Sequence, residues 1–276
     1  MNKVGILFHP KVEATQIKAR ELQKFLESGG VSVWLCSAWE KEQARAKLNN
    51  TNLILTVGGD GTILRAAQVV LPGTLPITGV NLGKLGFMTE INADKAEERL
   101  PLLLKGETWV DERAVLEAEL ITAKREPRQF HALNDIVVAR GAVARVVYVE
   151  ARIDGQLLTT YKADGVIAAT ATGSTGYSLA AGGPVLYPRS RDFLLLPILP
   201  HLSTDYILVL PSTVTVELRI ATAYPATLSI DGHTNLPLSD GDVIKIKQSP
   251  NTVRFLRILP EISYYGSLEQ KLKGKK

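Results

Sequence analysis

The chain is 276 residues long, 45% hydrophobic and 22% charged, with a formal net charge of +4 and a single cysteine. That composition excludes a disordered or disulfide-stapled chain and leaves room for one large domain or two. Mild basicity suits an anionic ligand, and a lone Cys36 suits a reducing cytoplasm. The greasiest stretch, 193–199, is short and broken by Pro197, and residues 1–4 enter a strand without a signal peptide's apolar core. A soluble, cytoplasmic protein with no membrane partner is therefore expected. The basic runs Lys124-Arg125-Glu126-Pro127-Arg128 and Lys271-Leu272-Lys273-Gly274-Lys275-Lys276 have no interleaved aromatics. They read as a solvated loop and a solvated tail, which argues against nucleic acid.

In chain order, the pattern predicts a strand at 4–8 and an amphipathic helix at 12–27, with Ala14, Ile17, Leu22, Phe25 and Leu26 broadly on one face. Gly29-Gly30 closes that helix, a strand follows at 31–35, and Cys36 at its end reads as a buried structural thiol. Strands at 53–57 and 75–80 alternate with helices at 63–71 and 94–105, the signature of βαβ units on a parallel sheet. From Trp109 onward the texture turns to strands, at 115–121, 136–139, 146–153, 166–170, 206–210, 214–220, 227–230, 243–246 and 253–258. Asp154-Gly155, Asp231-Gly232 and Asp240-Gly241 punctuate some of them as turns. The expected fold is an N-terminal α/β domain over 1–107 with a Rossmann-like parallel sheet, followed by a mostly β domain over 108–276. The C-terminal tail is a candidate to pack back on the first domain.

The densest chemical signal is Gly58-Gly59-Asp60-Gly61-Thr62, between the buried run 53–57 and the next helix. Glycines at a strand-to-helix turn let backbone N–H groups approach phosphate closely. A carboxylate among them suits either activation of a hydroxyl nucleophile or a metal ion, while the plainer alternative is that Asp60 caps the helix. Other phosphate devices are missing. There is no P-loop, since Leu85 replaces the hydroxyl needed after Lys84, no dinucleotide glycine fingerprint and no nucleophile elbow. His9, His131, His201 and His233 are too scattered for structural zinc.

Three further segments complete the pattern. Gly79-Val80-Asn81-Leu82-Gly83-Lys84-Leu85-Gly86-Phe87 follows a strand and implies close backbone approach, or simply a tight βα loop. Leu133-Asn134-Asp135-Ile136 sets an amide able to read an adenine edge beside a carboxylate able to accept from sugar hydroxyls, although Asn-Asp is commonly just a turn. Asp164-Gly165 precedes a strand and then the run Thr172-Gly173-Ser174-Thr175-Gly176-Tyr177-Ser178-Leu179-Ala180-Ala181-Gly182-Gly183-Pro184, whose small and hydroxyl side chains suit a snug nucleotide pocket.

Together and in this order the segments resemble the NAD kinase family (ATP-NAD or inorganic polyphosphate/ATP-NAD kinases), over nearly the whole chain, from residue 4 to about 255. The pentapeptide is shared with diacylglycerol and sphingosine kinases, whereas 79–87 and the run through Pro184 are more specific to NAD kinases. The resemblance implies phosphoryl transfer from ATP or polyphosphate to the 2′-hydroxyl of the adenosine ribose of NAD, giving NADP. It implies Asp60 as general base, Gly61 as a neighbouring backbone contact and Arg65 as a phosphate-steering cation. Asn134 and Asp135 match the nucleotide-binding pair, Arg145, Lys162 and Asp164 further ligand contacts, and Thr172 with Thr175, Gly176, Tyr177, Ser178, Leu179 and Ala180 the dinucleotide loop. His233 matches a more variable polar contact. A divalent cation, magnesium, is implied with the donor, no side chain is assigned to it, and a homodimer or homotetramer is implied. Asp135 stands where glutamate is usual, Ala171 where proline is common, Gly176 where alanine is common and Ala180 where serine is common, which leaves position 180 a backbone contact. A lipid kinase sharing the pentapeptide would need an apolar acyl channel and not the 172–184 run. A non-catalytic dinucleotide sensor would have no need of Asp60.

Overall fold

The apolar runs at the start of the chain become parallel strands because each is followed by a helix with one apolar face to cover it. In the computed structural model the described residues are 1–83, 86–123, 125–141, 145–201, 206–222, 224–260, 266, 268–269 and 271–272. Lys84, Leu85, Lys124 and the last four residues of the basic tail lie outside them. The chain divides into two units, Met1–Glu112 with Val253–Lys276, and Arg113–Thr252. No helix among the described residues is long and apolar enough to cross a membrane.

The first unit runs β1 (Lys3–Phe8), α1 (Glu13–Ser28), β2 (Ser32–Ser37), α2 (Lys41–Ala46), β3 (Leu53–Val57), α3 (Asp60–Val70), β4 (Ile77–Asn81), β5 (Ile91–Asn92) and α4 (Ala96–Lys105). The strands pair in parallel in the order β4-β3-β1-β2. Chain order reverses between β1 and β3, so the carboxyl ends of these two strands form the switch point where open α/β sheets leave a crevice. The sheet's core joins Val4, Ile6, Leu53, Leu55 and Val57 to Ala19, Leu22 and Leu26 of α1. The buried stripe of α1 is Thr15, Ala19, Leu22 and Leu26, while Ala14 is exposed and Ile17 is 54% exposed. Those two sit off the row of spacing three and four that faces the sheet, which corrects the face expected from composition. Helix α2, unexpected from the sequence, follows Cys36, whose thiol is buried and its pKa raised mainly by that burial.

One buried ionic cluster ties this unit together. Arg257, at the end of the strand Val243–Arg257, donates from Nε to Asp111 Oδ2 at 3.1 Å and from Nη1 to Glu90 Oε2 at 3.2 Å and the Met88 carbonyl at 2.7 Å. Glu90 Oε1 accepts in turn from the Ile258 and Leu259 amides at 2.8 and 2.7 Å.

Among the described residues, the regular structure of the second unit is almost all strand. Its elements are β6 (Trp109–Thr122), which enters from the first unit, β7 (Arg125–Ala132), β8 (Asp135–Arg140), β9 (Val147–Ile153), β10 (Gln156–Ala163), β11 (Gly165–Ala169), the short helix α5 (Tyr177–Ala180), β12 (Phe193–Ile198), β13 (Leu208–Leu210), β14 (Val216–Ile220), β15 (Ala226–Ile230), β16 (Thr234–Leu238) and β17 (Val243–Arg257), which returns to the first unit. One antiparallel sheet has the order β13-β12-β11-β8-β15-β16, and another antiparallel run is β10-β9-β14-β17. Ile136, Val138, Val166, Ala168 and Leu228 from the first meet Val149, Ala151, Leu218 and Ile244 from the second in one core. The opposite face of the six-stranded sheet buries Val137, Ile167, Ala169, Leu194 and Leu196. With both faces covered, its inner strands β11 and β12 are buried at every residue.

Several strands differ from expectation. The basic run expected as a loop continues as β7, an exposed strand held by backbone pairing with β6, a contact that side-chain hydrophobicity does not report. The two strands expected at 243–246 and 253–258 are one, β17, and β10 follows the left-handed pair Asp154 (φ 47°) and Gly155 (φ 79°).

Replacing Arg257 by Met leaves Asp111 and Glu90 as buried charges without their cation. We expect a loss of about 3–5 kcal/mol in denaturant unfolding. Arg254→Met, which breaks an exposed pair with Glu112, should cost less than about 1 kcal/mol by the same measurement.

Candidate functional site

Strand β3 runs into Gly58 and Gly59, with Gly59 as the N-cap residue of α3 and Asp60 as its first helical residue. The Asp60 side chain does not cap this helix; it reaches the segment that follows β4. There Phe87 N–H donates to Oδ2 at 2.8 Å and Met88 N–H to Oδ1 at 3.1 Å. Gly86 is where the approach is closest, because a Cβ at that position would collide with the Asp60 carboxylate. Met88 is itself held through its carbonyl by Arg257. The carboxylate is thus fixed on two sides while each oxygen keeps lone-pair capacity for a further donor. Beside it, Thr62 Oγ1 is buried with no hydrogen-bond partner among the described residues.

Arg65 stands one turn further along α3, with its guanidinium 3.9 Å from the ring centroid of Trp39, and Trp39 meets His9 edge-on at 4.4 Å. Stacking occupies the face of the guanidinium and leaves its edge donors available to an anion. His9 follows β1 and Gly58 follows β3, so this aromatic–cation group lies at the switch point of the parallel sheet.

In the second unit, Asn134 and Asp135 open β8 where β11 ends and β15 ends, since Asp135 pairs with Ala169 and Ile136 with Ile230. Three devices hold this corner. Thr170 donates its N–H to the Asn134 carbonyl at 2.9 Å and its hydroxyl to the Leu133 carbonyl at 2.6 Å. Gly173 packs so tightly that a Cβ there would strike the Asn134 carbonyl. Asp231, buried like Asp135, accepts from the amides of Leu133 (3.0 Å), Asn134 (2.7 Å) and Asp135 (3.1 Å).

The 172–180 run wraps the same corner. Thr175 Oγ1 donates to the Thr172 carbonyl at 3.3 Å, and Arg113 Nη1 donates to Thr172 Oγ1 at 3.3 Å. A Cβ on Gly176 would come within 3.6 Å of Asn134 Nδ2 and 4.0 Å of Asp135 Oδ2. Ser178 Oγ and Asn134 Oδ1 are buried without a hydrogen-bond partner among the described residues. Tyr177 and Ala180 are exposed, Leu179 is half-buried, and His233 Nδ1 lies 3.0 Å from the Asp231 carbonyl.

Arg145, Lys162 and Asp164 are not brought to this corner. Gly165 pairs with Ala139 while Ala169 pairs with Asp135, four strand steps or about 14 Å away. At that far end Asp164 Oδ2 pairs with Arg140 Nη2 at 3.2 Å, the Arg145 guanidinium stands 4.8 Å over the Tyr224 ring, and Lys162 Nζ is 5.9 Å from the Tyr148 ring. Among the described residues no group of three or more His, Cys, Asp or Glu could hold a metal ion.

The charge state of the corner is unusual. Asp135, only 7% exposed, has its pKa pushed up from the ordinary 3.8 to about 7, first by burial and then by the charge of Asp231. Asp231 is also raised by burial, against the three amide donors and His233. Because those donors stabilise the ionised form of Asp231, that residue carries the charge and Asp135 the proton.

Comparison with known proteins follows this geometry closely. Residues 36–108 match the family model of the ATP-NAD kinase N-terminal domain, and residues 133–258 that of the ATP-NAD kinase C-terminal domain. The chain belongs to the NAD kinase family. It is 51% identical to an NAD kinase of Dehalococcoides mccartyi over 99% of this chain and 96% of that one, and 37% identical to an NAD kinase of Chloroflexus aurantiacus over 99% of both. Among solved structures, a yeast NADH kinase complexed with NADH superposes with a TM-score of 0.87 at 26% identity, over 98% of this chain and 87% of that one. An NAD kinase from Archaeoglobus fulgidus in complex with ATP superposes with a TM-score of 0.79 at 27% identity, over 98% of each chain. The α/β unit and the mostly β unit expected from the sequence are the architecture of this family.

Two residues that shape the family's motif regions in this chain escaped sequence reasoning. Asp231 was visible only as the first half of an Asp-Gly turn, and Arg257 only as a charge near the end of a strand. Neither has a local signal, because each acts on a segment that only strand register brings near.

The Asp135 carboxyl gives a signed pH dependence. Between about pH 4 and about pH 7 the folded chain keeps a proton that the unfolded chain has released, so stability falls as pH rises through that window. Asp135→Asn removes this contribution. Its melting temperature should therefore gain on the parent's as pH rises from about 4.5 to about 8, and a constant difference would show that the carboxyl does not titrate there.

Proposed function

We propose that the chain, as a kinase acting on NAD, transfers the terminal phosphoryl group of ATP or polyphosphate to the 2′-hydroxyl of the adenosine ribose, with Asp60 as the general base. The observation that carries this is the clasp on Asp60. Two backbone amides aim a carboxylate that still has lone pairs for a substrate hydroxyl, in a turn of glycines at the carboxyl edge of a parallel sheet. Phosphoryl transfer passes through a loose transition state, so the acceptor hydroxyl loses its proton late and a weak, well-placed base suffices. Gly61 and the edge donors of Arg65 would face the donor's phosphates, with the guanidinium held by Trp39.

The Asn134–Asp135 corner is assigned to NAD. The unsatisfied Asn134 Oδ1 and Ser178 Oγ support this, because buried polar atoms in a native fold normally find a partner, and a bound nucleotide supplies one. Thr172, Thr175, Gly176 and the exposed Tyr177 would frame it, Leu179 and Ala180 would add backbone, and His233 would lie at its edge. Arg145, Lys162 and Asp164, toward the far end of β8 and β11, would meet a part of the dinucleotide away from Asp135, the two cations being suited to its pyrophosphate. The described residues build no metal cage, so a divalent cation, magnesium, would arrive on the donor's phosphates, where it neutralises charge. The assembly is assigned as a homodimer or homotetramer, for which light scattering of the purified chain is the check.

The test is a coupled assay for NADP with NAD or NADH and with ATP or polyphosphate offered in parallel. Asp60→Asn should cut turnover by at least about two orders of magnitude while NAD binding persists. Near-normal turnover in that variant would remove Asp60 as the base.

A further inference from the structure

We infer that Asp231 is a positioning residue for the acceptor nucleotide: its buried carboxylate suspends the Asn134–Asp135 backbone and sets a second acidic group beside the Asp135 carboxyl. The inference rests on the assignment of that corner to NAD.

The geometry is specific. Asp231 ends the β15 side of the turn in a left-handed conformation, φ 50°, which Asp and Asn adopt more readily than other side-chain-bearing residues. Its own N–H donates to the Asp135 carbonyl at 2.9 Å, while its carboxylate accepts the amides of Leu133, Asn134 and Asp135. Four hydrogen bonds to one residue therefore fix four consecutive peptide units. The side chains that leave those units are the amide with the unsatisfied Oδ1 and the Asp135 carboxyl.

A second effect follows from placing two carboxyls in one buried corner. Like charges so close do not both form easily, and Asp231 wins because it has the amide donors. Below neutrality Asp135 thus keeps its proton, and it offers a ribose one donor and a weakened acceptor. Above neutrality it is ionised and accepts more strongly from a ribose hydroxyl. Ionisable groups beside the corner among the described residues include His233, two residues beyond Asp231, Arg113, whose guanidinium donates to Thr172, and the phenol of Tyr177 on the run that wraps it. NAD affinity should accordingly rise with pH through the neutral range, with an inflection owned by Asp135, raised first by burial and further by Asp231.

Asp231→Asn separates the two carboxyls with little change of shape. An Asn keeps Oδ1, which serves Asn134 and Asp135, but turns an N–H₂ toward the Leu133 amide in place of Oδ2. It also removes the charge. Binding of NAD to the full chain, read by calorimetry from about pH 5.5 to about pH 8.5 without donor, is the measurement. For Asp231→Asn the inflection should move down by about one pH unit, and affinity at the alkaline end should fall about tenfold. A merely structural role would weaken binding without moving the inflection, and an unmoved inflection overturns the inference. Asp135→Asn supplies an independent arm should Asp231→Asn fail to fold: the inflection must vanish in it, and its persistence, which would assign it to His233, also overturns the inference. If the parent chain forms no NADP in the coupled assay, the assignment of the corner fails instead, and the inference falls with it.

Discussion

A single guanidinium holds together three parts of the first unit that chain order keeps far apart. Arg257 lies 146 residues beyond Asp111 and 167 beyond Glu90, yet it bonds both and the Met88 carbonyl as well. Removing an arginine from water to a site where it is 7% exposed is unfavourable unless its donors are met by carboxylates, and here two are. The consequence reaches the candidate base directly. Met88 uses its carbonyl on Arg257 and its amide on Asp60, so one peptide segment passes the position of a buried ion cluster to a carboxylate in a glycine turn.

The same physical device appears twice, once in each unit. Asp60 and Asp231 are both carboxylates that accept consecutive backbone amides, and each grips a segment from a different part of the chain. A carboxylate is well suited to this because it offers two oxygens and donates nothing, so neighbouring N–H groups can converge on it without conflict. The difference is burial. Asp231 is sealed and acts through its neighbour, whereas Asp60 is partly open and has capacity left for a substrate.

What the sequence made legible was local. The glycine turn at 58–62, the Asn134–Asp135 pair and the hydroxyl run from Thr172 each carry their chemistry within a few residues, and so could be read in order. The βαβ alternation was equally plain, because helices and strands have different periods. Three things were hidden. Backbone pairing made a strand of the polar segment Arg125–Ala132, which no apolar pattern announced. Register brought Asp231, at the end of β15, to Asp135 and separated Asp164, at the start of β11, from it. Burial raised the Asp135 pKa, and a sequence states neither depth nor neighbours.

The two crossing strands, β6 and β17, make the second unit an insertion within the first. Synthesis proceeds from the N-terminus, so every residue of the inserted unit has left the ribosome before Arg257, on which the first unit's ion cluster depends, is available. The α/β unit begins the chain and is nonetheless the last to be completed. Until then Asp111 and Glu90 lack their cation, and the segment that clasps Asp60 has no anchor at its carbonyl.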